Sequence, residues 1–159
     1  MNLKKTIIGL FILIAAVSTN AQVNEEESFG LGFLAGEPTG FSFKYWFNKE
    51  RAIDGGLSWS FAKDNGFVIH SDYLFHNYRM NNSEQWPAYY GAGFLLKIED
   101  EKDNHDADTI FGFRFPFGMD YFFENKAPYD FFLEMAPVLE LSPDIDISFN
   151  ASVGLRFYF

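Results

Sequence analysis

The chain has 159 residues, with 12 Lys and Arg against 22 Asp and Glu for a formal charge of -10, no Cys, and 21 Phe, 8 Tyr and 3 Trp. Its length suits one domain built on one core. The missing Cys excludes disulfides, thiolate metal centres, a Cys nucleophile and a lipidated Cys; the acidic balance argues against nucleic acid as a partner; and an apolar fraction of 48% excludes a disordered chain.

Residues 1–21 read as a secretory signal peptide: Lys4 and Lys5, an apolar run from Ile7 to Val17, the polar stretch Ser18-Thr19-Asn20, and cleavage after Ala21. As a helix the apolar run reaches only about 16 Å, short of a roughly 30 Å hydrocarbon core, so a membrane anchor fits poorly. Residues 22–27 then form a short lead into a folded domain expected over 28–159. No later apolar run reaches 18 residues.

From there the period is two. Phe41, Phe43, Tyr45 and Phe47 alternate with Ser42, Lys44 and Trp46; Ile53, Leu57, Trp59 and Phe61 alternate with Asp54, Gly56, Ser58 and Ser60. Phe111, Phe113, Phe115, Phe117, Met119, Tyr121 and Phe123 continue the pattern, and the last thirteen residues keep it strictly, from Ile147 through Phe149, Ala151, Val153, Leu155 and Phe157 to Phe159. Such alternation is that of a strand with one greasy and one polar face. Eight strands are predicted, over 28–36, 39–48, 52–62, 67–78, 88–98, 109–123, 129–141 and 147–159. The breaks between them carry Glu37-Pro38, Asp64-Asn65-Gly66, the polar run 79–87, the acidic run 99–108, Asn125 to Pro128 and Ser142-Pro143-Asp144. These residues close hairpins, so the prediction is an all-β, eight-stranded, antiparallel up-and-down barrel.

A barrel of this kind is either greasy inside, as in soluble carriers, or greasy outside, as in a membrane. The aromatic face is too bulky for an eight-stranded interior. The opposite face holds Gly30, Gly32, Gly40, Gly56, Gly91, Gly93, Gly112, Gly118 and Gly154 among charges of both signs. The rings are therefore expected to face lipid and the charges to fill a narrow lumen, which makes this a transmembrane β-barrel.

Gly36-Glu37-Pro38-Thr39-Gly40, Lys44-Tyr45-Trp46, Ala52-Ile53-Asp54, Asp72-Tyr73-Leu74-Phe75-His76 and Ala136-Pro137-Val138 together resemble the small eight-stranded outer-membrane barrels of OmpA/OmpX type, in an uncharacterised bacterial branch. The chain's last residues, Ser152-x-Gly154-x-x-Phe157-x-Phe159, resemble the terminal-strand signal read by the barrel assembly machinery. The resemblance implies a fold and a location in the bacterial outer membrane, with outer-membrane lipid and the assembly machinery as partners. It implies no activity.

On the polar face Lys44, Lys97, Arg114 and Arg156 stand against Asp54, Asp72, Asp120, Asp130, Glu134 and Glu140, with His70 and His76. These are expected to pair as a plug that pins the lumen closed, in preference to a proton relay or polar pore. His70, Asp72 and His76 share a strand face, but at about 3.3 Å per residue the two imidazoles lie about 20 Å apart, so no metal site is expected. His70 and Ser71 point to opposite faces and cannot form a nucleophile and base pair, and no G-x-S-x-G motif occurs. No enzyme activity and no cofactor are expected, and the barrel is expected to be a monomer with a structural or surface-interaction role. The alternatives are an adhesin or ligand-binding barrel displaying the acidic 99–108 loop, and a lipid-modifying enzyme.

Overall fold

The described residues fold as nine strands closed into one ring. The computed structural model describes residues 28–61, 65–80, 83–99, 109–123 and 127–159; the expected signal peptide over 1–21, the lead over 22–27 and nearly all of the acidic 99–108 run lie outside the described residues. The strands are β1 (Ser28–Glu37), β2 (Thr39–Asn48), β3 (Arg51–Ser60), β4 (Gly66–Asn77), β5 (Ala88–Glu99), β6 (Thr109–Arg114), β7 (Phe117–Phe122), β8 (Tyr129–Ser142) and β9 (Asp146–Tyr158). Every neighbouring pair is antiparallel, and β1 pairs with β9 from Gly30↔Tyr158 to Glu37↔Ala151, which closes the ring.

The predicted sixth strand, 109–123, is two strands. β6 and β7 form one wall, each pairing with β5 on one side and β8 on the other. The interruption falls at Phe115-Pro116, because Pro116 has no N–H to donate to a ladder. The wall nevertheless stays continuous: the Phe115 N–H donates to the Pro137 carbonyl at 3.0 Å, and the Gly91 N–H donates to the Pro116 carbonyl at 2.8 Å. Eight walls and nine strands thus describe the same barrel.

Two rims result. Ser28 and Phe159 lie at one, here the terminal rim, with residues 49–50, 78–80, 83–87, 123 and 127–128. The β1–β2 and β8–β9 connections and the facing ends of β3 and β4, Ser60↔Gly66, lie at the opposite hairpin rim. In the first of these Gly36, at φ 143°, takes a conformation open to glycine, and its N–H donates to Thr39 Oγ1 at 3.0 Å. The long connection at the terminal rim is partly ladder. The Asp120 N–H donates to the Pro87 carbonyl at 3.1 Å and the Phe122 N–H to the Gln85 carbonyl at 2.9 Å, so residues 85–87 prolong β5 irregularly along β7.

Face parity is uniform around the ring. Phe41, Phe61 and Phe149 on the outer wall are 62%, 66% and 67% exposed, whereas Lys44, Asp120 and Arg156 inside are 0% exposed. The outer wall is therefore a belt of apolar rings, and the charges occupy the core.

Candidate functional site: a layered, ion-paired lumen

β8 serves as a ruler for the interior, because its alternate residues Asp130, Phe132, Glu134, Ala136 and Val138 all point inward and are buried. At the terminal rim the floor is apolar, built of Trp46, Ala52, Phe122 and Tyr158. Above it lies the first ionic layer. Arg156 Nε is 3.3 Å from Asp130 Oδ1, Nη2 is 3.4 Å from Asp120 Oδ1 and Nη1 is 3.6 Å from Asp54 Oδ2. Lys44 pairs with Asp120, and both lie 3.0 Å from His76 Nε2. The Tyr158 hydroxyl donates to Asp130 Oδ2 at 2.6 Å.

The second layer centres on Arg114. It pairs with Asp72, and its Nη2 donates to Glu134 Oε1 at 2.6 Å; the Tyr89 hydroxyl donates to the other Glu134 oxygen at 3.0 Å. Beyond this layer the lumen is again apolar, closed by Val68, Leu95 and Val138, which are 2%, 4% and 0% exposed. Removing charges from water is costly, and such groups persist only when paired. Here three cations, Lys44, Arg114 and Arg156, are shared among five carboxylates, Asp54, Asp72, Asp120, Asp130 and Glu134, so that each acid touches a cation while Asp54 Oδ1, Asp72 Oδ1 and Arg156 Nη1 have no hydrogen-bond partner among the described residues.

Rings extend the network. The Arg156 guanidinium sits 3.9 Å from the Phe132 ring centre, and Lys44 Nζ lies 4.4 Å from that of Trp46 and 5.1 Å from that of Tyr89. Room for these rings comes from glycines across the strands. Phe132 faces Gly154, Tyr158 faces Gly30 and Tyr89 faces Gly118 in direct register. At Gly154 a Cβ would stand 2.3 Å from the Phe132 ring and 2.3 Å from the Phe33 carbonyl oxygen, so this position admits no side chain while Phe132 lies flat against the wall. The lumen is therefore more aromatic than its glycines and charges suggested, because Gly154, Gly30 and Gly118 are recesses for rings on the next strand.

Eight of the ten predicted lumen residues, Lys44, Asp54, Asp72, Arg114, Asp120, Asp130, Glu134 and Arg156, meet in these two layers. Lys97 and Glu140 have the right parity but lie near the hairpin rim: Lys97 Nζ pairs with Glu99 at 2.9 Å, and Glu140 accepts from the Ser148 hydroxyl at 2.5 Å. His70 is buried against Gly56, apart from His76. Ser71 is exposed on the outer wall and donates to the Asp54 carbonyl at 3.3 Å. Among the described residues no three His, Asp or Glu are arranged to hold a metal ion. At the chain's end Phe157 and Phe159 lie on the outer wall with ring centres 5.3 Å apart, the Phe159 N–H donates to the Phe29 carbonyl at 2.9 Å, and Ser152 is buried.

Comparison with solved structures identifies the architecture. The N-terminal β-barrel domain of Pseudomonas aeruginosa OprF superposes with a TM-score of 0.68 over 84% of this chain and 98% of that one, at 12% identity. The fold is that of the small eight-stranded outer-membrane barrels. The Yersinia pestis attachment invasion locus protein Ail matches more loosely in two structures: a crystal structure (TM-score 0.43, 15% identity, 85% of this chain and 99% of that one) and one in a phospholipid bilayer nanodisc (0.44, 14%, 86% and 100%). No family model matches the chain, and no curated protein matches it in sequence.

Proposed function

We propose that this protein is an integral barrel of the bacterial outer membrane, exported through a signal peptide cleaved after Ala21, whose role is structural or surface-interactive and not catalytic. The observation that carries this reading is the inverted polarity of the barrel: a continuous outer belt of exposed rings around a buried ionic core. In water that belt would be one large aggregation-prone patch, whereas in lipid it is the required surface. The likeness in fold to the OprF barrel domain supports it. The two ionic layers between an apolar floor and an apolar cap leave a closed lumen, so the barrel is a rigid body in the membrane and not a conduit. Ser152, Gly154, Phe157 and Phe159 act as the handle for the assembly machinery.

The test is membrane fractionation combined with gel mobility before and after boiling. An outer-membrane barrel is expected in the membrane fraction with a band that shifts on heating. Recovery in the soluble periplasmic fraction, with no shift, overturns the reading in favour of a soluble carrier.

A further inference from the structure

Outside the lumen, basic side chains gather at one place on the terminal rim. Lys49, Arg51 and Arg79 line an open cavity of about 540 Å³ beside the β2–β3 turn, with Glu50 as the acid in its wall. Lys49 is tied to Glu84 at 3.0 Å. Among the described residues neither Arg51 nor Arg79 has an acidic partner, although the chain carries 22 acids against 12 basic residues. Two arginines that line one cavity of so acidic a protein, without an acidic partner among the described residues, suit a phosphate, since the planar donor fork of Arg matches phosphate oxygens.

Next to this cavity is an apolar groove of about 400 Å³ on the outer wall, and the two share Tyr90. The groove is lined by Met80, Met119 and Met135, which are all the methionines of the chain after Met1. Leu133 and Phe117 complete it, 51% and 50% exposed. Arg79 and Met80 are consecutive, so the chain passes directly from the cationic cavity into the groove. Methionine adapts its shape to an irregular apolar partner, and the groove runs from the rim, at Met80, up the wall to Met135.

Resting on the membrane-embedded reading above, the geometry points to a binding site for one anionic glycerophospholipid of the leaflet at the terminal rim. The phosphate sits between Arg51 and Arg79, and an acyl chain lies along the methionine groove. A free phosphate or an acidic peptide would use the cavity alone, whereas an amphiphile uses both halves.

The experiment is native mass spectrometry of the full chain, purified from membranes in zwitterionic detergent and titrated with dioleoylphosphatidylglycerol, dioleoylphosphatidylcholine or lipid A. The expected result is a single retained phosphatidylglycerol, bound about tenfold more tightly than phosphatidylcholine and weakened about tenfold in an Arg51→Gln/Arg79→Gln variant. Arg51→Lys/Arg79→Lys is expected to retain more of the affinity than the Gln variant. Inorganic phosphate at millimolar concentration should not displace the lipid. Equal retention of both phospholipids by the wild type, a preference for lipid A, or undiminished binding in a folded Gln variant overturns the site. Should the Gln variant fail to fold, the wild-type preference between the two phospholipids decides. Heat-shifted mobility of the same sample separates the two readings: a folded barrel without lipid preference sinks only the lipid site, and a chain that never inserts sinks both.

Discussion

Asp54 and Asp72 face each other directly across β3 and β4 inside the barrel, and each is held by a different arginine, Arg156 for Asp54 and Arg114 for Asp72. Like charges in direct cross-strand register oppose pairing, so this contact persists only because the two ionic layers flank it. Asp54 is the outermost ligand of Arg156, at 3.6 Å. Asp54→Asn is therefore expected to leave thermal stability unchanged or raise it. Asp120→Asn removes a group that contacts Lys44, His76 and Arg156 together, and should cost about 3–5 kcal/mol. Urea unfolding of both variants in lipid vesicles checks the order; a larger loss for Asp54→Asn would refute it.

Gly154 and Phe132 form one packing unit, and a double-mutant cycle should show it. Gly154→Ala forces the Phe132 ring off the wall and away from Arg156, at an expected cost of about 1–3 kcal/mol. In a Phe132→Ala background the strain against the ring disappears and the cost of Gly154→Ala should shrink, leaving only the approach to the Phe33 carbonyl. Additive losses would mean that the ring and the glycine act independently.

Assembly in cells separates the two faces of β9. Phe159→Ala removes one partly exposed ring at the rim, which costs at most about 3 kcal/mol of burial, and refolding in detergent should survive it. If Phe159 is part of the recognition handle, the same variant accumulates as unassembled protein in cells. Arg156→Ala, buried on the opposite face of the strand, should instead insert and then melt at lower temperature. Equal defects in both assays for the two variants would show that the handle and the lumen are not separable.

Depth can be read from the outer wall. Val153 lies mid-strand on β9, paired with Leu133 and Ala35, while Ile147 lies close to the hairpin rim. Val153→Lys should lower stability in vesicles by about 2–4 kcal/mol and Ile147→Lys by about 1 kcal/mol or less, because the cost of a charge falls from midplane to interface. Equal effects would place the hydrocarbon band elsewhere on the barrel.

Periodicity made most of the wall legible. The alternation in 147–159 and 39–48 gives β9 and β2 and assigns each residue a face, because a strand permits only two. It missed the interruption at Pro116, which keeps perfect alternation while lacking the N–H that a ladder needs. Parity gives a face but not a height, which is why Lys97 and Glu140 looked equivalent to Arg114 and Glu134. Partners such as Lys44 and Asp120 sit on walls that are not neighbours, so their meeting depends on the stagger of the whole ring, a quantity no local window contains. The methionine groove has a compositional trace, three methionines in a chain otherwise rich in Phe, but only the fold shows that they converge.

The β1–β9 pairing has a further consequence, for the order of events. Every other wall pairs with its neighbour in sequence, whereas Gly30 and Tyr158 are joined only after the rest of the chain has been laid down. Closure is thus the contact of greatest loop entropy, and a sheet lacking it carries two unpaired edges open to intermolecular pairing. A nascent chain halted before β9 is therefore not a smaller barrel but an adhesive ribbon. Slow amide exchange at Leu31, Phe33, Val153 and Leu155 marks the moment at which the ribbon becomes a cylinder.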